Sequence, residues 1–430
     1  TNSVYGQLEV SYNDWLFVTA SGRNDWFSTL NGRDIFYPSV GGSAVLSQVL
    51  TLPEIFDFAK VRASWAQVGG GADNPYILNQ NYGLGTAHMG VPQGGISGGS
   101  VRNADLNPYL VTEFEIGFNV QLLQSRLGID FAYYDKKTED DILNATISQT
   151  SGYTGATVNV GEVTNKGVEL LLTGTPIKNE NFSWDVSFNM GYNNSEVVSL
   201  LDDEIDGEVL NVERSRSLNT WVQHIEGMEY GQIAGPQYLR DANGEIMLDS
   251  DGLPLADPDN PFMPFGTGVH PFVAGLQNNF RYKNWNLGFL IDMKDGAVMH
   301  SGTNGQLYRR GVHQNTLAGR EDGLGVIPAE NVSDYYTHIF NNIAEEFIYD
   351  AGFVKFRELT FGYTFPSSIL DKTFISSATV SAVGRNLWVI SSSVDNIDPE
   401  SAYNVGNAQG LEYFGVPSTK SYGLNLNVKF

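Results

Sequence analysis

The residues best suited to chemistry lie in an acidic stretch near the middle of the chain. Two short runs, Asp241 to Glu245 (DANGE) and Asp249 to Gly252 (DSDG), alternate oxygen-bearing side chains around a glycine turn. Carboxylate and amide oxygens in such turns are ligands that Ca²⁺ takes. The pattern departs from an EF-hand loop, because Ile246 stands where that loop requires glycine. We therefore predict either a solvated acidic hairpin or a weak calcium site with the ligands Asp241, Asn243, Glu245, Asp249 and Asp251.

The sequence lacks the other common catalytic and metal-binding patterns. It contains no Cys, which excludes disulfides, thiolate metal sites and cysteine nucleophiles. Its six His are scattered without metal-ligand spacing, and no G-x-S-x-G motif marks a serine hydrolase. The glycine-rich run at 68–74 lacks the lysine of a phosphate-binding loop. We expect no enzymatic activity, no catalytic residue and no cofactor other than the candidate calcium.

Aromatic side chains are frequent in the segments that lack strand periodicity. Aromatic faces stack on sugar rings or pack against peptide side chains, which suits the mouth of a binding site. They also pack one loop against another, and we expect this second role for most of them. The candidates for substrate or partner contact are Tyr76, Tyr82, Trp221, Tyr230, Tyr238, Tyr308, Tyr335, Tyr336, Tyr403 and Tyr413.

The elements that must position these residues are β-strands. The last stretch, Ser418 to Phe430, alternates apolar and polar residues to its final position, which predicts a strand with one face of each kind. Thr112 to Leu122 and Phe182 to Tyr192 alternate in the same way, with large apolar residues on one side and small, acidic or amide residues on the other. No run of eighteen apolar residues predicts a transmembrane helix. Alternating strands of about 10 residues are the other way to cross a membrane.

The predicted strands number thirteen, and the connections between them alternate in length. Short turns follow the odd-numbered strands and long loops follow the even-numbered ones, so all long loops lie at one end of an up-and-down sheet. Outer-membrane barrels have this arrangement, whereas soluble sandwiches mix connection lengths. We predict a polar loop over 22–38 and long extracellular loops at about 69–108, 135–161, 193–268, 295–346 and 389–417.

Composition and charge agree with a β-rich protein that does not bind nucleic acid. The 47 Gly and 12% aromatic residues suit many strands joined by turns. A formal net charge of −24 argues against nucleic acid as a partner. The negative charge is concentrated between Glu196 and Asn260, a segment with 15 acidic residues and three arginines.

An odd number of strands cannot close a bacterial barrel whose two ends lie on the same side of the membrane. The chain also enters a strand directly after Thr1, without a signal peptide. We therefore expect the first strands of the barrel to be absent, and the last strand to pair with a strand outside this sequence. Two alternatives stay open. A self-contained porin-like channel predicts an even strand number and closure within the chain, and a soluble β-rich carbohydrate-binding or adhesin protein predicts mixed connection lengths.

Several segments resemble the SusC/RagA family of TonB-dependent outer-membrane transporters, in order along the chain. They are SGRNDWFST (21–29), FYPSVGGS (36–43), KVRASWAQVG (60–69), NKGVEL (165–170), GLQNNFRYKNW (275–285), FVKFRELTFGYTFP (353–366), VGRNLWV (383–389) and the terminal strand. The resemblance implies an all-β fold, an antiparallel transmembrane β-barrel of about 22 strands with a plugged lumen. This chain would be its carboxy-terminal part, with about thirteen strands.

The resemblance also implies a function and partners. Family members import glycan or peptide oligomers through the bacterial outer membrane, together with a SusD-like surface lipoprotein and energy supplied through TonB. The plug, the first strands and the segment that contacts TonB would belong to the remaining amino-terminal part of the same transporter. The expected partners are this part, TonB, the lipoprotein, outer-membrane lipid and the oligosaccharide or oligopeptide substrate.

Overall fold

The computed structural model describes residues 1–30, 34–72, 76–96, 99–200, 209–217, 219–371, 373–402, 406 and 409–430. Its strands are β1 (Asn2–Tyr12), β2 (Leu16–Trp26), β3 (Asp34–Val45), β4 (Phe56–Gly70), β5 (Tyr82–Leu84), β6 (Gly94–Ile96), β7 (Ser100–Val101), β8 (Tyr109–Leu122), β9 (Leu127–Thr146), β10 (Gly155–Lys178), β11 (Phe182–Ser199), β12 (Val209–Arg214), β13 (Trp221–Ile225), β14 (Gln232–Gly235), β15 (Met263–Thr267), β16 (Phe272–Tyr282), β17 (Trp285–Asp295), β18 (Val298–Ser301), β19 (Ile348–Asp350), β20 (Phe353–Thr364), β21 (Ser377–Ser392), β22 (Leu411–Glu412) and β23 (Ser421–Lys429). The α-helices are α1 (Gly302–Arg309), α2 (Val332–Asn342) and α3 (Ser367–Leu370), and short 3₁₀ turns cover Leu46–Gln48, Gln149–Ser151, Gln314–Leu317, Ala329–Asn331 and Glu345–Phe347.

Fourteen of the described strands form one sheet: thirteen are antiparallel neighbours, which we call the wall, and the two-residue β7 pairs in parallel with β10 beside them. The order of the wall is β1-β2-β3-β4-β8-β9-β10-β11-β16-β17-β20-β21-β23, so each wall strand lies beside the next one along the chain. Within the described ranges, β1 and β23 are the two margins and do not pair with each other. The prediction of thirteen up-and-down strands is confirmed. The porin-like alternative, which required an even number and closure within this chain, made the wrong prediction.

The long connections of the wall lie at one end, as predicted. Because neighbouring wall strands are antiparallel, connections that follow even-numbered wall strands share an end. Those six connections are 27–33, 71–108, 147–154, 200–271, 296–352 and 393–420. The connections at the opposite end are 13–15, 46–55, 123–126, 179–181, 283–284 and 365–376.

Two segments predicted as loops are strands. The prediction of a long loop over 135–161 is wrong, because β9 continues to Thr146 and β10 starts at Gly155. This hairpin lacks apolar alternation because charged pairs hold it together: Lys137 Nζ lies 3.0 Å from Glu139 and 2.8 Å from Glu162. The polar loop over 22–38 is likewise shorter than predicted, since β2 and β3 leave only 27–33 between them.

The connections 200–271, 296–352 and 393–420 fold together over one end of the wall, and we call their described residues the roof. The first holds the sheet β12–β15, and the others meet in the sheet β19-β18-β22. The largest core of the roof is aromatic and includes Tyr308, Phe340 and Phe347. Sequence periodicity lapses here because contacts between connections, rather than one sheet face, decide which side chains are buried. In the residues the structure describes, no helix has the length and apolar character needed to span a membrane.

Candidate functional site

One face of the wall is polar from strand to strand, and this face is the candidate functional site. Directly paired residues keep the same character across many strands, because the register aligns the alternation of each strand with that of its neighbour. One such row crosses nine strands and contains Gln121, Gly128, Thr173, Ser187, Gln277, Leu290, Glu358, Arg385 and Ser421. The adjacent row points to the opposite face and contains Val120, Ile129, Leu172, Phe188, Leu276, Ile291, Phe356 and Trp388.

The opposite face of the wall is apolar and exposed. Leu424 in β23 exposes 84% of its surface, and aromatic rings stack across neighbouring strands, with 5.8 Å between the centroids of Phe289 and Phe356 and 4.2 Å between those of Phe356 and Trp388. An apolar surface that covers a whole sheet would be costly to keep in water, whereas a bilayer solvates it. The two faces therefore correspond to lipid outside and a polar lumen inside.

Glycines on the polar face let neighbouring side chains lie flat against the wall. A Cβ on Gly288 would lie 2.8 Å from Asn279 Oδ1, and one on Gly275 would lie 2.7 Å from Asn189 Oδ1. The same relation holds between Gly362 and the hydroxyl of Ser381, at 2.6 Å. These distances are shorter than real Cβ contacts, so a larger residue at each position would lift its neighbour away from the wall. The glycines thus let these side chains lie close to the backbone of the wall, so that hydrogen-bonding groups line the polar face.

One cluster of charges on the polar face is paired. The Arg62 guanidinium lies 3.1 Å from Glu115 and 2.9 Å from Asp130, across three strands. Asn119 donates a hydrogen bond of 2.8 Å to the second oxygen of Asp130. Gly117 makes room for this arrangement, because a Cβ there would lie 2.9 Å from Arg62 Cζ. This pairing keeps charged side chains of both signs on the polar face.

A partly buried network of charges attaches the roof to the polar face. Lys355 of β20 lies 2.5 Å from Asp398 and 2.6 Å from Glu400, both in the last long connection. Arg357 bridges Glu400 and Asp292 of β17, each at 2.6 Å. Although burial opposes ionisation, the hydrogen bonds from Lys355 and Ser418 outweigh it and hold the pKa of Asp398 well below its usual range. The last connection is therefore fixed to the wall by charge-assisted bonds.

Residues 1–387 match the family described as "TonB dependent receptor-like, beta-barrel". The chain belongs to this family. The wall is accordingly the wall of an outer-membrane barrel, and the bacterial outer membrane is where the protein lies.

Relatives of this TonB-dependent receptor-like chain carry corresponding names. It is 25% identical over 461 residues to "TonB-dependent receptor P3" of Formosa agariphila, a match to 100% of this chain and 45% of the relative. It is 24% identical over 347 residues to "TonB-dependent receptor SusC" of Bacteroides thetaiotaomicron, a match to 76% of this chain and 32% of SusC. The chain thus spans less than half the length of the curated relatives it matches.

Solved structures share the fold of the TonB-dependent receptor-like chain. The structure titled "Structure of the RagAB peptide transporter" superposes with a TM-score of 0.78 at 18% identity, over 100% of this chain and 47% of that chain. The RagAB peptide importer in the "closed-closed" state gives a TM-score of 0.80 over the same shares. At this identity the likeness concerns the fold alone. It confirms the all-β barrel fold, while the family match and the SusC relative confirm the resemblance stated from the sequence.

Several aromatic residues predicted to contact a substrate or partner instead form the roof core. The hydroxyls of Tyr238 and Tyr308 donate to the two oxygens of Glu346, at 2.9 and 2.8 Å. The Tyr336 hydroxyl donates to the carbonyl of Asn315, and Tyr335 packs edge-on against Tyr336. Two connections close around these four rings, which is the packing role expected for most of the aromatic candidates; a contact role for them stays a prediction.

The remaining aromatic candidates differ in exposure. Tyr76 and Tyr82 stand free in the connection 71–108, with Tyr82 78% exposed. Trp221 lies under the Arg214 guanidinium, at 5.4 Å, and Tyr230 packs on the His224 ring, at 4.1 Å. The Tyr413 hydroxyl accepts a hydrogen bond from Gln306. Tyr403 lies outside the described residues.

The acidic turns use their carboxylates on their own backbone. Asp241 Oδ1 accepts the amides of Asn243 and Glu245, at 2.8 and 3.0 Å, and these bonds lower the pKa of Asp241. Asp249 Oδ1 accepts the amides of Asp251 and Leu253, each at 2.9 Å. In the described part of the chain, no three acidic or His side chains converge as a metal site would require. Calcium binding by these turns stays a prediction.

The residues that attach the roof were not among those predicted from the sequence. Lys355 and Arg357 lie in FVKFREL, where basic side chains interrupt an aromatic strand, and Asp398 and Glu400 lie in the segment DPE. A basic pair in a wall strand and an acidic pair in a late loop are the available signal. The sequence does not show that the basic pair and the acidic pair lie close together, since about 43 residues separate them.

Proposed function

We propose that this chain is part of an outer-membrane importer of nutrient oligomers, either glycans or oligopeptides, with no catalytic role and no resident cofactor. The observation that carries the proposal is the polar face, which continues in register through the wall and ends beneath the roof. Family membership supports it, as does the fold shared with a protein whose structure is titled a peptide transporter. A polar, glycine-lined inner face suits passage of a hydrated oligomer.

We infer that the importer works with a SusD-like surface lipoprotein and takes energy through TonB. The relatives' names and the two-component name RagAB support this inference. The roof is the surface at the long-connection end, where a partner outside the cell would meet the barrel. The TonB contact would lie in a part of the transporter outside this sequence.

Growth of a deletion strain tests the import function. The gene that encodes this chain is deleted in its source bacterium, and growth is compared on monomers and on oligomers of both classes. We expect loss of growth on one class of oligomer, normal growth on the monomers and rescue by the intact gene. Unchanged growth on every oligomer would contradict the proposal.

Affinity purification tests the partners. The tagged protein is extracted from outer membranes in mild detergent, and the polypeptides that accompany it are identified by mass spectrometry. We expect a surface lipoprotein at a stoichiometric amount. Recovery of the barrel protein without any lipoprotein would contradict the SusD-like partnership while leaving the import function to the growth assay.

A further inference from the structure

A pocket opens at the outer rim of the wall, beside the margin formed by β23. β21 continues to Ser392, whereas β23 begins at Ser421 and pairs with β21 only as far as Arg385. Beyond Arg385 the last long connection lies beside β21 instead, and the two enclose a pocket of about 510 Å³, a size that suits a small ligand. We call it the rim pocket. The residues that line it include Asn386, Trp388, Ile397, Asp398, Phe414 and Lys420.

The rim pocket lies at the outer surface of the membrane. Trp388 belongs to the lipid-facing row, where it pairs with Phe356, and 50% of its surface is exposed. It lies about eleven residues beyond Ser377, the short-turn end of β21, which is roughly 28 Å along the membrane normal for a strand tilted by about 40°. The apolar band of such a barrel is about 25 Å tall, with aromatic residues at its borders. Trp388 is therefore at the border where the headgroups of the outer leaflet begin.

The second exposed ring of the rim pocket, Phe414, is held in place by a strained turn. Its φ is 52°, a conformation that bulky residues rarely adopt, and 59% of its surface is exposed. Glu412, which is 1% exposed, fixes the turn by accepting hydrogen bonds from the Thr303 hydroxyl and the Gly415 amide, at 2.5 and 3.1 Å. The Thr303 hydroxyl in turn accepts the Phe414 amide, at 2.7 Å. Backbone strain that the surroundings enforce in this way clusters at ligand sites.

Lys420 is the polar group that the rim pocket leaves for a ligand. Asp398 also lines the pocket, but its carboxylate accepts hydrogen bonds from Lys355 and Ser418. The Asn386 amide donates to a carbonyl of the last connection, at 3.2 Å. Lys420 is exposed and, among the residues that the structure describes, forms no salt bridge. The rim pocket thus offers two aromatic faces and one cation.

This combination suits a phosphorylated sugar that belongs to a lipid. The carbon-bound hydrogens of a sugar ring pack on aromatic faces, and a lysine ammonium pairs with phosphate. On the bilayer side of the pocket, β23 turns Tyr422 and Leu424 toward lipid, with 77% and 84% of their surfaces exposed. Acyl chains attached to a sugar in the pocket would pack along this apolar surface.

We propose that the rim pocket binds the phosphorylated sugar headgroup of an outer-leaflet lipid. The sugar ring packs against Trp388 and Phe414, the phosphate pairs with Lys420, and the acyl chains lie against β23. The site is outside the lumen, so it is separate from any site for the imported oligomer and does not rest on the proposed import function.

Native mass spectrometry of the intact transporter tests the proposal. The transporter is freed of lipid in detergent and titrated with three probes. Lipid A is a glucosamine disaccharide that carries phosphates and acyl chains, phosphatidylglycerol carries phosphate without a sugar, and deacylated lipid A carries the sugar phosphate without acyl chains. We expect one lipid A to bind at least tenfold more tightly than either of the other probes.

Substitutions in the rim pocket locate the bound lipid. Lys420→Gln removes the charge-assisted bond and Phe414→Asn removes the ring, and each should weaken binding of lipid A about tenfold. Asparagine tolerates a positive φ, so the second variant keeps the turn. Lys283→Gln is the matched control, because it removes an exposed lysine at the short-turn end of the wall and should leave the affinity unchanged.

Several results would overturn the inference. Equal affinity of the wild type and both pocket variants would place the lipid elsewhere. Equal binding of phosphatidylglycerol and lipid A would show that no sugar is recognised. Deacylated lipid A that binds as tightly as lipid A would assign the pocket to a free sugar phosphate rather than a membrane lipid. A loss in Lys283→Gln as large as in Lys420→Gln would mean that the lipid responds to surface charge in general.

Discussion

The wall and the roof bury their side chains by different rules. In the wall, successive residues of a strand face opposite sides of the sheet, so a residue's environment follows from its position in the strand. The register between neighbouring strands keeps this alternation of faces from β1 to β23. In the roof, aromatic residues such as Tyr308 and Phe340 are buried because another connection closes over them. In the wall, the alternation of apolar and polar residues along each strand is enough to determine which side chains face lipid and which face the lumen. The roof shows that loops at the mouth of a barrel need contacts between distant segments.

The largest effect is expected from a substitution that breaks the attachment between wall and roof. Lys355→Met removes the cation whose side chain, 4% exposed, lies between Asp398 and Glu400. Glu400 keeps its bond to Arg357, but the buried Asp398 carboxylate is left without its cation, which should cost about 3–5 kcal/mol. We expect the last connection to become sensitive to limited proteolysis, while the wall keeps its resistance to unfolding by detergent and heat. Lys420→Met is the control, since this lysine forms no salt bridge among the described residues. A connection equally resistant in both variants would contradict the attachment.

A cavity in the roof core should act on the roof alone. Phe347 is 1% exposed and packs edge-on against Tyr308, at 5.2 Å between centroids. Phe347→Ala should destabilise the roof by about 3–5 kcal/mol, because a buried aromatic ring is lost. Hydrogen exchange followed by mass spectrometry should show faster exchange in α1 and α2 and no change in β8 or β10. Met89→Ala, in the open connection 71–108, should change neither, as this side chain is exposed. Faster exchange throughout the wall would mean that roof and wall fold as one unit.

Adjacent residues of the last strand should differ in how strongly a charged substitution destabilises the barrel. Leu426 pairs with Val380 on the lipid-facing side and Asn425 pairs with Ser381 on the polar side. Leu426→Arg should cost about 2–4 kcal/mol in a bilayer, and Asn425→Arg much less. Unfolding by urea in lipid vesicles measures both. Equal costs would mean that the faces are assigned wrongly.

The smallest expected effect is a pH dependence confined to the roof. His224 and His300 are fully buried, and burial lowers their pKa values from 6.5 to about 4 and about 3. Below pH 6.5 the unfolded roof binds more protons than the folded one, so stability is complete above that pH and falls as the pH drops toward 4. At pH 5.5 the loss should be about 1 kcal/mol for each His.

Proteolysis of the roof at pH 7.5 and 5.5 measures this loss. Replacing both residues, His224→Leu with His300→Leu, should remove most of the difference between the two pH values, with a remainder from His270 and His313, whose pKa values burial also lowers. His88→Leu in the exposed connection should preserve the full difference. An undiminished difference in the double variant would assign the pH dependence to other groups.

Much of the wall could be predicted from the sequence, for a physical reason. A strand between lipid and a polar lumen must alternate, and Asn13 and Asp14 mark the first hairpin because their side chains tolerate the positive φ of 48° and 58° seen there. The outer half of the β9–β10 hairpin was not predictable in this way. We infer that it extends past the bilayer, because β9 has 20 residues and a membrane-crossing strand needs about 10. Water would then lie on both sides, and charged pairs such as Lys137–Glu162 replace the apolar face.

The roof and the attachment could not be predicted, because their determinants are contacts between distant segments. Glu346 has no sequence feature that marks it as the acceptor for Tyr238, about 108 residues away. Similarly, the aromatic content of the loops suggested binding, yet which rings are free depends on whether a second connection covers them. Tyr82 is free and Tyr308 is covered, although both stand in segments of similar composition.

Accessibility of nitroxide labels along β23 tests the central claim, that the wall separates lipid from a polar lumen. Single cysteines are placed at each position from Ser421 to Lys429 of the protein in lipid bilayers, and relaxation by oxygen is compared with relaxation by a water-soluble nickel chelate. We predict a period of two, with oxygen favoured at Leu424 and Leu426 and the nickel chelate favoured at Asn425 and Asn427. Accessibility without this alternation, or nickel access at the leucines, would contradict the account.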